Sequence, residues 1–165
     1  LLDYMKACIK KQQPVWTSVA CIDKRSLESN ALFPAERNIK RGGDILAWLT
    51  MMCRHKRMIW SSHIGAIYHQ DSINMVTKKA PSGHEISSNE VFNDLSKTLN
   101  KTEKKYLARY FNIILKHEWF TTYRLGIKGF NIRHFLYWKY DLKNSFKYFL
   151  ISFLPKNIIK KIADE

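Results

Sequence analysis

Val15-Trp16-Thr17-Ser18-Val19-Ala20-Cys21-Ile22-Asp23 decides the fold class. Val15, Trp16, Thr17, Val19 and Ile22 are β-branched or aromatic, side chains that suit a pleated surface, so the segment reads as a strand. Upstream, Pro14 and the polar pair Gln12–Gln13 close a short helix over 2–12. Downstream, residues 58–60 and 64–68 read as two further short strands. Between them Ile45, Trp48, Leu49, Met52 and Cys53 fall at i, i+3, i+4, i+7 and i+8, the stripe of an amphipathic helix. Asp44 stands where its N-cap belongs, and Arg54, His55, Lys56 and Arg57 crowd the end where positive charge suits the helix dipole. Strands around a helix make residues 1–78 an expected α/β unit.

The pattern changes after a polar loop over 70–88 that carries Pro81 and Gly83. From Ser87 onward the signals are helical. Ser87 with Glu90 fits a capping box, and Asn100 with Glu103 is a near relative. Tyr106, Leu107, Tyr110, Phe111 and Ile114 repeat on one face, and further helices are expected near 130–140, over 142–153 and after Pro155. The expected architecture is α/β over 1–78 and a basic helical C-terminal extension over 79–165, with the boundary within 78–89.

The chain has 165 residues, 45% of them hydrophobic, which is enough for a packed core and argues against global disorder. Its net charge of +14 points to acidic partners such as phosphates, anionic lipid or nucleic acid. The excess is uneven: residues 1–100 hold 14 Lys and Arg against 9 Asp and Glu, and residues 101–165 hold 14 against 5. Cys8, Cys21 and Cys53 are odd in number and lack C-x-x-C spacing, so free thiols in a reducing compartment are expected rather than a disulfide framework or a zinc site. No apolar run reaches the length of a spanning helix, and a soluble or peripheral protein is expected.

The segment Arg41-Gly42-Gly43-Asp44-Ile45-Leu46-Ala47-Trp48-Leu49 holds the candidate chemistry. A carboxylate at the mouth of a rigid helix, behind two glycines that let a ligand approach the backbone, has the fixed geometry a general base needs. An Asp in that place also serves simply as a helix cap, and the motif alone leaves both readings open. His55, His63 and His69 match no zinc spacing; the first reads as a helix end and the second as a loop residue.

The order of motifs is more specific than any one of them. Trp16-Thr17-Ser18 through Arg25-Ser26-Leu27 leads to Leu32-Phe33-Pro34, then to Gly42-Gly43-Asp44 with Trp48-Leu49, then to Ile64-Gly65-Ala66-Ile67-Tyr68-His69. This order resembles the second half of the catalytic domain in family 2 glycosyltransferases of the GT-A fold, over roughly residues 14–78. The resemblance implies a Rossmann-like sheet portion and an inverting sugar transfer from a nucleotide sugar to a saccharide or lipid-linked acceptor. It implies Asp44 as the general base, and Trp48, Gly42, Gly43 and Ser18 as the acceptor side. It also implies that His69 helps hold Mg²⁺ or Mn²⁺, or the donor diphosphate. Gly43 stands where the family has a Glu, and no Asp-x-Asp metal motif occurs in the sequence. With Leu1 rather than Met at its start, the chain is expected to be an acceptor-side fragment, inactive without a donor-binding half. A cytoplasmic place on the inner face of the cell membrane of a bacterium, in envelope polysaccharide synthesis, follows from the same resemblance.

Residues 130–162 interleave Lys and Arg with Phe, Tyr, Trp and Leu. Helices of that composition either lie in a bilayer interface against anionic headgroups or pack as a cap on the rest of the chain. The second class of function is therefore a non-catalytic basic module binding anionic membrane or nucleic acid. Nucleic acid is the less favoured partner, because no helix-turn-helix, zinc or RNP-like pattern appears.

Overall fold

A computed structural model describes residues 1–12, 14–27, 33, 39, 42–61, 63, 65–66 and 84–164 of the chain. Six α-helices lie among them: α1 (Leu2–Ile9), α2 (Gly43–His55), α3 (Asn89–Ser96), α4 (Lys101–Arg124), α5 (Leu142–Ile151) and α6 (Lys156–Asp164). Short 3₁₀ turns cover Thr17–Val19, Lys24–Ser26, His84–Ser87 and Ile132–His134.

The expected α/β fold is not what forms: no strand occurs among the described residues, and the Rossmann-like sheet is corrected to an all-helical arrangement. A strand must pair every second N–H and C=O with a neighbour, and β-branched composition alone supplies no neighbour. The segment 15–23 closes on itself instead. Val19 N–H donates to the Trp16 carbonyl at 3.0 Å and Ser26 N–H to the Asp23 carbonyl at 2.8 Å. Asp23 fixes the second turn by accepting from the Arg25 backbone N–H at 2.9 Å, a turn device that competes with extended structure. Met58, Ile59 and Trp60 lie exposed without a ladder partner. Of the expected strand over 64–68 only Gly65 and Ala66 are described, and neither is in a strand; the rest lies outside the described residues.

The helices follow the sequence more closely. Asn100 and Glu103 form the complete capping box of α4: Glu103 N–H donates to Asn100 Oδ1 at 2.9 Å, and Asn100 N–H to Glu103 Oε2 at 2.9 Å. The cap of α3 is Ser88, which accepts from Val91 N–H at 3.3 Å, one residue beyond the expected Ser87. The expected helix near 130–140 is a single 3₁₀ turn followed by hydrogen-bonded turns.

α4 is the spine. It packs against α1, α3, α5, α6 and two of the 3₁₀ turns. Leu107, Ala108, Phe111 and Leu115 along it are fully buried, and Leu46, Leu49 and Met52 of α2 belong to the same core. Cys8 and Cys53 are buried free thiols, whereas Cys21 is exposed. Burial pushes the Cys8 thiol up to about 11 and the Cys53 thiol up to about 12, so both stay protonated and unreactive at neutral pH.

Asn112, at 0% exposure in the middle of α4, is the polar joint of this core. Its Nδ2 donates to Asp141 Oδ2 and to Ser145 Oγ, both at 3.1 Å, and its Oδ1 accepts the Tyr137 backbone N–H at 2.9 Å. Tyr137 in turn donates its hydroxyl to the Ser87 carbonyl at 2.7 Å and stacks on Phe92 at 4.7 Å. One amide thus seats the 137–145 segment and α5 on α4. Asn112→Ala leaves the Tyr137 N–H buried without its acceptor and opens a small void. It is expected to lower stability by about 2–4 kcal/mol. Urea unfolding checks this: the midpoint should fall at unchanged slope, and a loss below about 0.5 kcal/mol would show that the joint is dispensable.

Candidate functional site

α2 begins two residues earlier than its sequence implies. Gly42, in the left-handed region at φ 82°, is the N-cap and makes no side-chain cap bond. Asp44 is therefore not the cap but the second residue of the helix. A Cβ on Gly42 would also come within 3.1 Å of Ile86 Cδ1, so Gly42 is demanded both by its conformation and by close packing on the turn before α3. Gly43 differs: apart from its chain neighbours and its own helix backbone, nothing among the described residues lies within 4 Å of where its Cβ would stand.

The Asp44 carboxylate is half-buried at this mouth. Its Oδ1 accepts the Ile45 backbone N–H at 2.9 Å, which fixes the group. Its Oδ2 meets the Thr17 hydroxyl at 3.5 Å, the outer limit of a hydrogen bond. Thr17 Oγ1 accepts the Trp48 indole N–H at 3.2 Å. An indole, a hydroxyl and a carboxylate thus form one row across the start of α2. The indole N–H points into the hydroxyl oxygen, which turns the hydroxyl proton toward Asp44.

Sequence reasoning brought Asp44, Trp48, Gly42 and Gly43 together, and the structure does so too. Ser18, expected on the acceptor side, is exposed in the 3₁₀ turn, and the hydroxyl that meets Asp44 is that of its neighbour Thr17. A strand points adjacent residues to opposite faces, so reading 15–23 as extended obscured which of the two would face the helix. His69 lies outside the described residues. Among the described residues no group of three or more His, Cys, Asp or Glu could hold a metal ion. A cavity of about 490 Å³ lies between the end of α4 and the start of α6, lined among others by Trp119, Tyr123, Lys128, Lys156 and Lys160. No residue of the Asp44 row lines it.

The far end of α2 is held to the spine. Lys56 closes the helix in a left-handed conformation, φ 57°, with its N–H on the Met52 carbonyl. Its ammonium contacts both carboxylate oxygens of Glu103, at 3.0 and 3.2 Å. The Thr98 hydroxyl adds a bond to the Cys53 carbonyl at 3.2 Å. Burial alone would raise the Glu103 carboxyl, but the Asn100 backbone N–H and the Lys56 ammonium outweigh it and hold the group below its ordinary value.

Comparison of the chain with family models, curated proteins and solved structures finds no match. Among the described residues no helix is long and apolar enough to cross a membrane.

Because the folded Glu103 value is depressed, its contribution is fully present above the ordinary Glu value of about 4.3 and fades as pH falls through the lower folded value. Lys56 is about two-fifths exposed, so solvent screens the pair and its loss strands no buried cation. Glu103→Gln, which can still close the capping box, is expected to cost about 1 kcal/mol at pH 7. Glu103→Ala loses the cap as well and should cost about 2 kcal/mol. Thermal melts from pH 6 to pH 3 check the assignment: the acid-induced fall of the wild type should be shallower in Glu103→Gln, and an equal fall would remove Glu103 as its source.

Proposed function

We propose that the chain is the acceptor side of an inverting glycosyltransferase, with Asp44 as general base. The row Trp48–Thr17–Asp44 beside Gly43 carries the reading. The order of motifs from Trp16 to His69 is the other support for it. In this reaction Asp44 Oδ2 accepts the proton of an acceptor hydroxyl. The acceptor oxygen bonds to the anomeric carbon of a nucleotide sugar, and the bond from that carbon to the nucleoside diphosphate breaks on the opposite face. One in-line displacement inverts the configuration. Thr17 and Trp48 position the carboxylate and present a hydrogen-bonding edge and an indole to the incoming saccharide or lipid-linked acceptor.

Two features favour this over a purely structural role. Asp44 lies inside α2 rather than at its N-cap position, which Gly42 occupies without a side-chain cap bond. Among the described residues, only one of its oxygens is bound at short distance. The reading assigns the described residues no metal step, and donor binding falls to residues outside them. The corresponding location is cytoplasmic, at the inner face of the cell membrane.

In the complete gene product, Asp44→Asn is expected to lower transfer about 10²–10⁴-fold, the range of a lost general base, with little change in melting temperature. Gly43→Ala, which places a methyl beside Asp44, should raise the acceptor KM while leaving the fold intact. Near-normal turnover in Asp44→Asn, or a large fall in its melting temperature, would return Asp44 to a structural role.

A further inference from the structure

α5 carries an apolar row on its outer face. Leu142, Phe146 and Leu150 follow at four-residue spacing, and Phe153 on the turn just beyond the helix continues the line. Their exposures are 68%, 54%, 51% and 58%. At about 100° per residue these four fall within an arc of about 80°. Lys143 and Lys147, both exposed, border that arc on one side. Arg133 lies over the Phe153 ring at 3.7 Å, held by bonds to the Ser152 hydroxyl and carbonyl at 2.7 and 2.9 Å.

The charge along the sequence of this row has one sign. From Leu142 to Ala163 the sequence contains five lysines and no Asp or Glu. The nearest acid, Asp141, is buried and spends its oxygens on Asn112 and Asn144. The inner face of the same helix is already occupied, with Ser145 and Tyr148 buried and Phe149 packed on Trp138. Leu142, Phe146 and Leu150 of the outer row are therefore surplus to the core, and Phe153 joins it only through Phe149, at 4.9 Å between ring centroids.

We infer that the outer face of α5 docks on an anionic lipid surface, with Leu142, Phe146, Leu150 and Phe153 inserted among the acyl chains and Lys143, Lys147 and Arg133 at the headgroup phosphates. Charge complementarity selects this occupant. A second copy meeting the same face would set lysine rows against lysine rows with no acid to separate them. A nucleic acid would meet aliphatic Leu142 and Leu150 where stacking needs aromatic faces. An interfacial helix requires an apolar strip of this width with cations along its margins, and both are present. The face lies on a different helix from Asp44, and the inference does not rest on the transferase reading.

Sedimentation of the full chain with vesicles tests it. Vesicles of phosphatidylcholine containing roughly one third phosphatidylglycerol should bind the protein at least about tenfold better than phosphatidylcholine alone. Phe146→Ser with Leu150→Ser should lower that binding at least about tenfold. Lys143→Glu with Lys147→Glu should do the same, and added salt should weaken the wild type. All four side chains are exposed, so melting temperatures should stay within a few degrees of wild type, and Asp44→Asn should bind vesicles normally. Undiminished binding by the serine variant, equal binding to neutral vesicles, or no vesicle binding would overturn the inference. So would a dimer abolished by the serine changes, or salt-steep binding of a single-stranded oligonucleotide without vesicle binding.

Discussion

The Glu103 carboxylate relates the candidate site to the rest of the molecule. One side chain closes the N-terminus of the spine helix and holds the ammonium at the end of the site helix. A buried carboxylate with fewer partners would carry a desolvation cost, and here backbone and ammonium together offset it. The Lys at that place is otherwise unfavourable. The left-handed C-cap of a helix usually holds Gly, because any Cβ there is strained. Lys56 accepts that strain and gains the ion pair, which fixes the direction of α2 and hence where Asp44 opens.

What was legible in the sequence was local. The periodicity of 45–53 gave α2, and Asn100 with Glu103 gave the start of α4, because both signals depend on residues within a turn of one another. The strands were not legible. Val15 to Asp23 has strand composition, but a strand is a long-range object that exists only with a partner, and the local turn formed by Asp23 and Arg25 needs none. Thr17 was hidden for the same reason: only the folded turn shows which of two neighbouring hydroxyls meets the carboxylate.

The C-terminal part shows a second limit of pattern reading. Its aromatics were legible as amphipathic, yet the sequence could not say which aromatic faces inward. Phe149 packs against Trp138 and Phe153, whereas Phe146, three residues earlier, stands in solvent. The difference is set by where α5 sits on α4, and that is decided by Asn112 reaching Asp141 and Ser145. A single buried amide thereby determines which ring joins the core and which remains available to a surface.

The central claim is that Trp48, Thr17 and Asp44 form an acceptor-binding row at the mouth of α2. The most direct measurement is a ¹⁵N–¹H spectrum of the full chain titrated with a panel of mono- and disaccharides and followed at the tryptophan indoles. The account predicts that at least one sugar moves the Trp48 indole resonance together with the Gly43 and Asp44 amides, while the buried Trp119 stays still. A panel that leaves Trp48, Gly43 and Asp44 unmoved, or shifts only the exposed Trp60, would contradict it.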